Sequence, residues 1–376
     1  MPSRPNGSSA MRLFLCGDVM TGRGIDQILP HSCDPRLHEP WVSDARHYVD
    51  LAEAEPGPIP RSVSHDYVWG DALGWLKRFA PDHRLINLET AITCDGEPWP
   101  GKDVHYRMHP GNARLLTAAG IDCCTLANNH VLDWGLAGLD ETLASIEKAG
   151  VATAGAGESL AAAQAPVVLT TPGKGRLILF GVGAGSSGIP PDWAAEPDRP
   201  GVWRISEAAE RSVAAVAEQV EAIKGEGDVV VVSIHWGSNW GYEVPDVQRE
   251  LAHALIDRAG VDLIHGHSSH HVKGAEIHRG KLILYGCGDF LNDYEGIGGY
   301  GHYRDDLTLM YFCDLDPATG KVLAAALRPM QIHRFQVVDA GSRDARWLGD
   351  LLARQDRTPG ADVRLTRDGT LRLQPY

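Results

Sequence analysis

Short, nearly unbroken apolar runs punctuate this chain and read as strands buried on both faces. The clearest are residues 12–16 (RLFLC), 121–127 (IDCCTLA), 176–182 (RLILFGV), 228–234 (DVVVVSI), 261–264 (VDLI) and 282–285 (LILY). Residues 84–90 (RLINLET) alternate instead, which places Asn87 and Glu89 on one side. Residues 165–169 pair with 176–182 as a hairpin, and residues 307–313, 322–329 and 331–338 finish the sheets. Helices fall between these runs, over residues 71–79, 111–119, 138–149, 206–224, 247–259 and 342–355. Strand and helix alternate throughout, so an α/β fold with a layered sheet core is expected. Residues 1–10, rich in Pro, Ser and Gly, read as a disordered leader. Residues 30–66 are long, weakly periodic and aromatic, which fits a lid-like insertion in a domain spanning 11–340. Residues 341–376 then form a C-terminal extension.

The strands end in polar residues. Asp18 stands between glycines after the first run, and Glu89 closes the alternating one. Asn128, Asn129 and His130 come directly after the 121–127 run, with Asp133 three residues on. The valine-rich run delivers His235, and four of the eight residues 264–271 are histidines: His265, His267, His270 and His271. Carboxylates, amides and imidazoles thus gather where ligands bind in α/β sheets, at the carboxyl ends of the strands. Asp18 either caps the next helix or serves such a site. The loop 99–109, with His105 and Arg107, reads equally as a substrate contact or a solvated surface. Trp41, Trp134, Trp236 and Trp240 either hold an apolar substrate end or pack at loop bases.

Composition narrows the partners. A net charge of −14 disfavours nucleic acid and membrane surfaces and suits a bound cation. No apolar run approaches the ~20 residues of a membrane span, and the start lacks the apolar core of a secretory signal. Seven cysteines without zinc-ribbon spacing read as thiols in a reducing compartment, so a cytoplasmic location is expected. Oxygen and nitrogen donors without thiolate suit Ca, Mg, Mn, Fe or Zn.

Six motifs together resemble the CapA/PgsA family, named for poly-γ-glutamate capsule synthesis. They are Gly17-Asp18-Val19-Met20 with Arg23, Asn87-Leu88-Glu89-Thr90, Leu126 to His130 with Asp133, His235-Trp236-Gly237, Gly266-His267 with His270, and Leu284 to Phe290. The likeness covers residues 12–338 and implies a four-layer α/β/β/α sandwich of the metallophosphatase (calcineurin-like) type. Met20 stands where metallophosphatases generally carry a histidine, and Asp289 where many relatives have asparagine. Losing that histidine weakens one metal position, so a single divalent ion (Ca, or Mn, Mg or Zn), held directly or through water, is expected. Its candidate ligands are Asp18, Glu89, Asn129, His235, His265 and His267. Capsule-type members usually carry a membrane anchor or export signal, which this chain is not expected to have. The resemblance extends to the lasso-peptide epimerase type, which inverts the Cα of the C-terminal residue of a ribosomal precursor peptide. That implies a peptide substrate and proton transfer among His130, His235, His267, His270, Asp18, Asp133 and Asp289. Arg23, His105, Arg107, Trp236 and Trp240 are the candidate substrate contacts. A metal-dependent phosphoesterase and a capsule or poly-γ-glutamate accessory protein are the alternatives; oligomeric state is left open.

Overall fold

The computed structural model describes residues 10–54, 56–207, 210–354 and 358–376. The expected leader, Ala10 apart, lies outside the described residues, as does the last residue of the expected helix 342–355. The fold is mixed α/β, with two large sheets of ten and seven strands. In the first sheet, Met11–Val19 sits between His83–Leu88, which it pairs with in parallel, and Leu307–Leu315, which runs antiparallel. Cys123–Thr125 and Ala152–Ala154 extend the parallel half. In the second sheet, Gly175–Ala184, Val229–His235, Leu263–His267 and Lys281–Leu284 run parallel in that order. Among the described residues, no helix is long and apolar enough to cross a membrane.

Period-2 alternation decides which residues meet. Leu13, Leu15 and Leu85 of the first sheet share one apolar cluster with Leu179, Val229, Val231 and Leu263 of the second. Their neighbours Phe14, Cys16 and Ile86 face the other way, against Leu76 and Phe79 of helix Ala72–Phe79 and Leu139 and Ile146 of helix Gly135–Lys148. Val230, Val232 and Ile264 likewise meet Val213 and Val216 of helix Glu210–Ile223 and Leu255 of helix Asp246–Ala259. Along the face shared between the sheets, toward the strand ends, the side chains turn polar. Val229 and Val231 give way to Ser233 and His235, and Leu263 to His265 and His267. The candidate centre is the polar end of the inter-sheet core.

A bulge brings Asp18 onto that face. Leu15 pairs with Leu85 but Asp18 with Asn87, so the first strand carries one extra residue over this stretch. Strict alternation would have turned Asp18 outward; the insertion re-aims it beside Asn87. Asp289 arrives from the other sheet. The chain leaves Lys281–Leu284, crosses, and pairs Asp289–Leu291 in parallel with Met11–Val19, setting Asp289 opposite Asp18. The crossing is tight: a Cβ on Gly17 would lie 1.7 Å from the Gly288 carbonyl oxygen.

Two expectations are corrected. Residues 331–338 are not one strand: Val322–His333 runs on through Pro329, the chain reverses at Arg334 and Phe335, both at positive φ, and Gln336–Asp339 pairs back as the next strand. Nor do the sheets finish there, since Ala361–Leu365 and Leu371–Pro375 complete the first sheet beside Val322–His333. Ala361, Val363, Leu371 and Leu373 supply the apolar alternation that draws this segment in. The 30–66 segment contains the helix Arg46–Glu53 and buries Tyr48, Val49 and Ala52.

His265 joins the sheets. Its Nε2–H donates to the Cys16 carbonyl at 2.7 Å, and burial drives the imidazole down to about 4 against that bond. A group whose folded pKa lies below its unfolded value of 6.5 stabilises the fold above 6.5 and loses that contribution as pH falls toward 4. Melting temperature is therefore expected to fall across that window, with a shallower slope in His265→Gln; an equal slope would remove His265 from the account. Gly17→Ala is expected to cost about 1–3 kcal/mol in urea unfolding, by forcing the crossing apart. An unchanged midpoint would show that the crossing yields freely.

Candidate metal centre

Asp18, His235 and His267 are buried, and one donor atom from each lies within 4.8 Å of the others. Asp18 Oδ1 accepts from Asn87 Nδ2 at 2.7 Å and stands 3.7 Å from His267 Nδ1. Its Oδ2 accepts the backbone N–H of Ser268 at 3.0 Å, and Ser268 adopts φ 97° in doing so. His235 Nδ1 and His267 Nδ1 face each other at 2.8 Å.

The hydrogen-bond network fixes the protons on these rings. Cys16 offers a carbonyl, so His265 must carry its proton on Nε2, and the Nδ1 of this neutral ring must accept. The donor available to it is the Ser233 hydroxyl, at 3.0 Å. Ser233 has one proton, so toward His267 Nε2, at 2.8 Å, its oxygen can only accept. His267 is therefore protonated on Nε2 and bare on Nδ1. His235 Nε2 donates to the Asn129 side-chain carbonyl at 2.9 Å, which leaves its Nδ1 bare as well. Burial first, and neighbouring imidazoles second, hold both rings well below the usual histidine range. Two lone pairs thus point at one another beside a carboxylate with no proton between them. A cation is the partner that such an arrangement fits.

The surrounding acids carry the same signature. Glu89 Oε1 lies 3.8 Å from Nε2 of both His130 and His235. Burial, then the charges of neighbouring carboxylates, push Glu89 and Asp18 above the usual carboxylate range. A positive charge here would relieve the desolvation and repulsion behind both shifts.

Two histidine–carboxylate pairs flank the centre. His130 Nδ1–H donates to Asp133 Oδ2 at 2.6 Å, and Asp133 also receives Lys102 Nζ and the Tyr106 backbone N–H. Burial outweighs Asp133 and drives His130 down to about 4. Burial raises Asp133, but His130 and Lys102 outweigh it, so this carboxyl stays below its ordinary value. His270 Nδ1–H donates to Asp289 Oδ1 at 2.9 Å, with Asn292 holding the other oxygen at 2.7 Å. Burial depresses His270, yet Asp289 outweighs it and the net shift is upward.

The structure brings His130, His235, His267, His270, Asp18, Asp133, Asp289 and Glu89 together. His265 and Asn129 touch this group as supports: both ring nitrogens of His265 are engaged, and Asn129 orients His235. Trp240 lies at the rim, 5.4 Å from the His270 ring and stacked on Tyr300 at 4.0 Å. Trp236, expected as a substrate contact, turns away into the helix-facing core, with its N–H on the Tyr285 carbonyl. Arg23 is enclosed, paired with Asp293 and Glu39 and stacked over the Tyr48 and Tyr106 rings, so no part of its charge is left for a substrate. Arg107 lies over the Trp134 ring at 3.8 Å, and His105 donates to the Trp99 carbonyl. Ser233, Lys102 and Asn292 are site residues that sequence reasoning missed. Alternation from His235 pointed to Ser233; Lys102 and Asn292 had no local signal.

The model of the family described as bacterial capsule synthesis protein PGA_cap matches residues 12–294. Two proteins from strains of Mycobacterium tuberculosis, each named a probable polyglutamine synthesis accessory protein, are 48% identical over 364 residues, covering 96% of both chains. The PGA biosynthesis protein CapA of Bacillus subtilis is 28% identical over 255 residues, 68% of this chain and 62% of its own. The capsule biosynthesis protein CapA of Bacillus anthracis is 25% identical over 298 residues, 75% of this chain and 69% of its own. With a family match over most of its length and near end-to-end relatives, this chain belongs to the bacterial capsule synthesis (PGA_cap) family.

Proposed function

We propose that this chain is a metal-dependent enzyme serving poly-amino-acid synthesis, and that it moves protons on a peptide-like substrate. The names of its relatives support the setting, and the facing bare nitrogens of His235 and His267 beside Asp18 carry the chemistry. The fold in this reading is the four-layer α/β/β/α sandwich of the metallophosphatases, supported by three apolar clusters that alternate with the two sheets. Residues 30–66 serve as its lid.

Asp18, His235 and His267 would hold one divalent ion, with Glu89 close by. Two imidazole donors favour Mn or Zn over Ca, which prefers all-oxygen sites. Bound there, the ion supplies positive charge against which a substrate carbonyl is polarised. Asp133 holds His130 with its Nε2 lone pair free, and a ring driven down to about 4 is neutral at physiological pH: this is the base. Asp289 raises His270, so it retains a proton where His130 does not: this is the acid. Environments that push two like groups apart divide the roles between them. One group that takes a proton and one that returns it are what inversion at a peptide Cα requires. Trp240 and Tyr300 offer a stacking surface at the entrance.

The deciding experiment incubates the purified protein with Mn²⁺ and a glutamate homopeptide in D₂O, followed by mass spectrometry. Deuterium incorporation at Cα without shortening is expected, lowered about 10²–10⁴-fold in His130→Gln. Shortened peptide would make the enzyme a hydrolase. Release of phosphate from an aryl phosphate, abolished in His235→Ala, would make it a phosphoesterase. Inertness in all three assays would leave a non-catalytic accessory protein. The exchange rate should hold from above pH 4 and fall as pH rises through the raised pKa of His270, above 6.5. A rate that climbs through this range contradicts the assigned roles. Ser233→Ala frees the His267 tautomer and should weaken Mn²⁺ binding about 10–100-fold by calorimetry. Unchanged affinity would dismiss the proton network as the source of the site.

A further inference from the structure

A second cluster of metal-ligating side chains lies apart from this centre, at the outer edge of the second sheet. Helix Asp246–Ala259 carries His253 and Asp257 one turn apart, hence on one face. The edge strand Ala275–His278 carries Glu276 and His278 two residues apart, hence also on one face. The two faces meet. His253 Nε2 lies 2.7 Å from Glu276 Oε1, and His278 Nε2 lies 3.0 Å from Asp257 Oδ1. The imidazoles stack at 3.9 Å with planes 9° apart. One donor atom each from His253, Glu276 and His278 falls within 4.8 Å of the others.

We propose that His253, Glu276 and His278, completed by Asp257, form a second divalent-cation site that takes zinc in preference to calcium or magnesium. Two imidazole nitrogens and two carboxylate oxygens match zinc's donor preference and tetrahedral number. The supports around Glu276 are those a ligand needs: the Tyr285 hydroxyl at 2.7 Å and Arg249 at 2.8 Å both occupy Oε2, while Oε1 meets His253 Nε2, and a cation would take the place of the proton between them. Both histidines are half-buried, so the rings can splay from their stack to share one ion. Occupancy would fasten the helix to the edge strand, through four side chains that the proposed reaction does not use. The Arg249 and Arg279 guanidiniums lie on the carboxylates and set an upper limit on the site's affinity.

Zinc titration of the full chain tests this, with Asp18→Asn/His267→Ala to silence the centre. One equivalent should persist in that variant, and adding His278→Ala should weaken it at least tenfold. Co²⁺ in place of zinc should give the visible absorption of a tetrahedral ion, lost in the same triple variant. His253→Gln, checked for native circular dichroism, repeats the test with a smaller change of shape. The proposal is overturned if the centre-silenced chain binds no zinc, or if neither histidine substitution alters binding. Because the readout is binding with the centre disabled, it stands or falls separately from the enzymatic reading.

Discussion

A single hydroxyl proton sets the character of the central site. Ser233 sits between two imidazoles and has one hydrogen to give. The Cys16 carbonyl decides where it goes, because it commits the Nε2 proton of His265. His267 must then spend its own proton on Ser233, and its other nitrogen is left facing that of His235. Buried polar networks are costly when incomplete. Here every member is satisfied up to the last pair, and the deficit is concentrated where it has a chemical use. The donor acids share that deficit, since burial and mutual repulsion raise both Asp18 and Glu89.

The fold makes this possible by turning one surface from oil to polar within two residues. The face that seals the sheets with Leu and Val ends in Ser233, His235, His265 and His267, with no change of element. A site grown from a packed core inherits its rigidity, which a chain of hydrogen-bonded rings needs to keep its tautomers. The bulge before Asp18 is a departure from regular pairing that the arrangement requires, and the pairing with Asp289–Leu291 slips again just after Asp18. Flanking pairs then differ only in surroundings. His130 loses to burial while His270 is carried upward by Asp289, so the same residue type is shifted in opposite directions.

Much of this was legible in the sequence, because strand ends are local features. Asp18, Glu89, His130, His235, His267 and His270 each stand at or just beyond an apolar run, and the structure gathers them as the runs foretold. What failed was anything decided at a distance or by a single step of phase. Trp236 adjoins His235, yet alternation sends it to the opposite side of the sheet. Arg23 reads as a substrate contact in the sequence because its partner Asp293 lies 270 residues away. Lys102 sits in a loop whose polar residues give no hint of which will fold inward. The segment after residue 341 resembled an appendix, since its few inward apolar residues come after the evident strands.

The crossing from Lys281–Leu284 to Asp289–Leu291 has a consequence for how such a molecule opens. One short stretch of backbone is sewn to both sheets, through the Gly266 carbonyl on one side and Asp18 N–H on the other. The candidate ligands Asp18, His235 and His267 come from both layers that this stitch joins. An ion held there would tie the two layers to each other beside the backbone stitch, so removing it would loosen their seam. Whatever binds in the cleft then adds to the work of unfolding the whole protein.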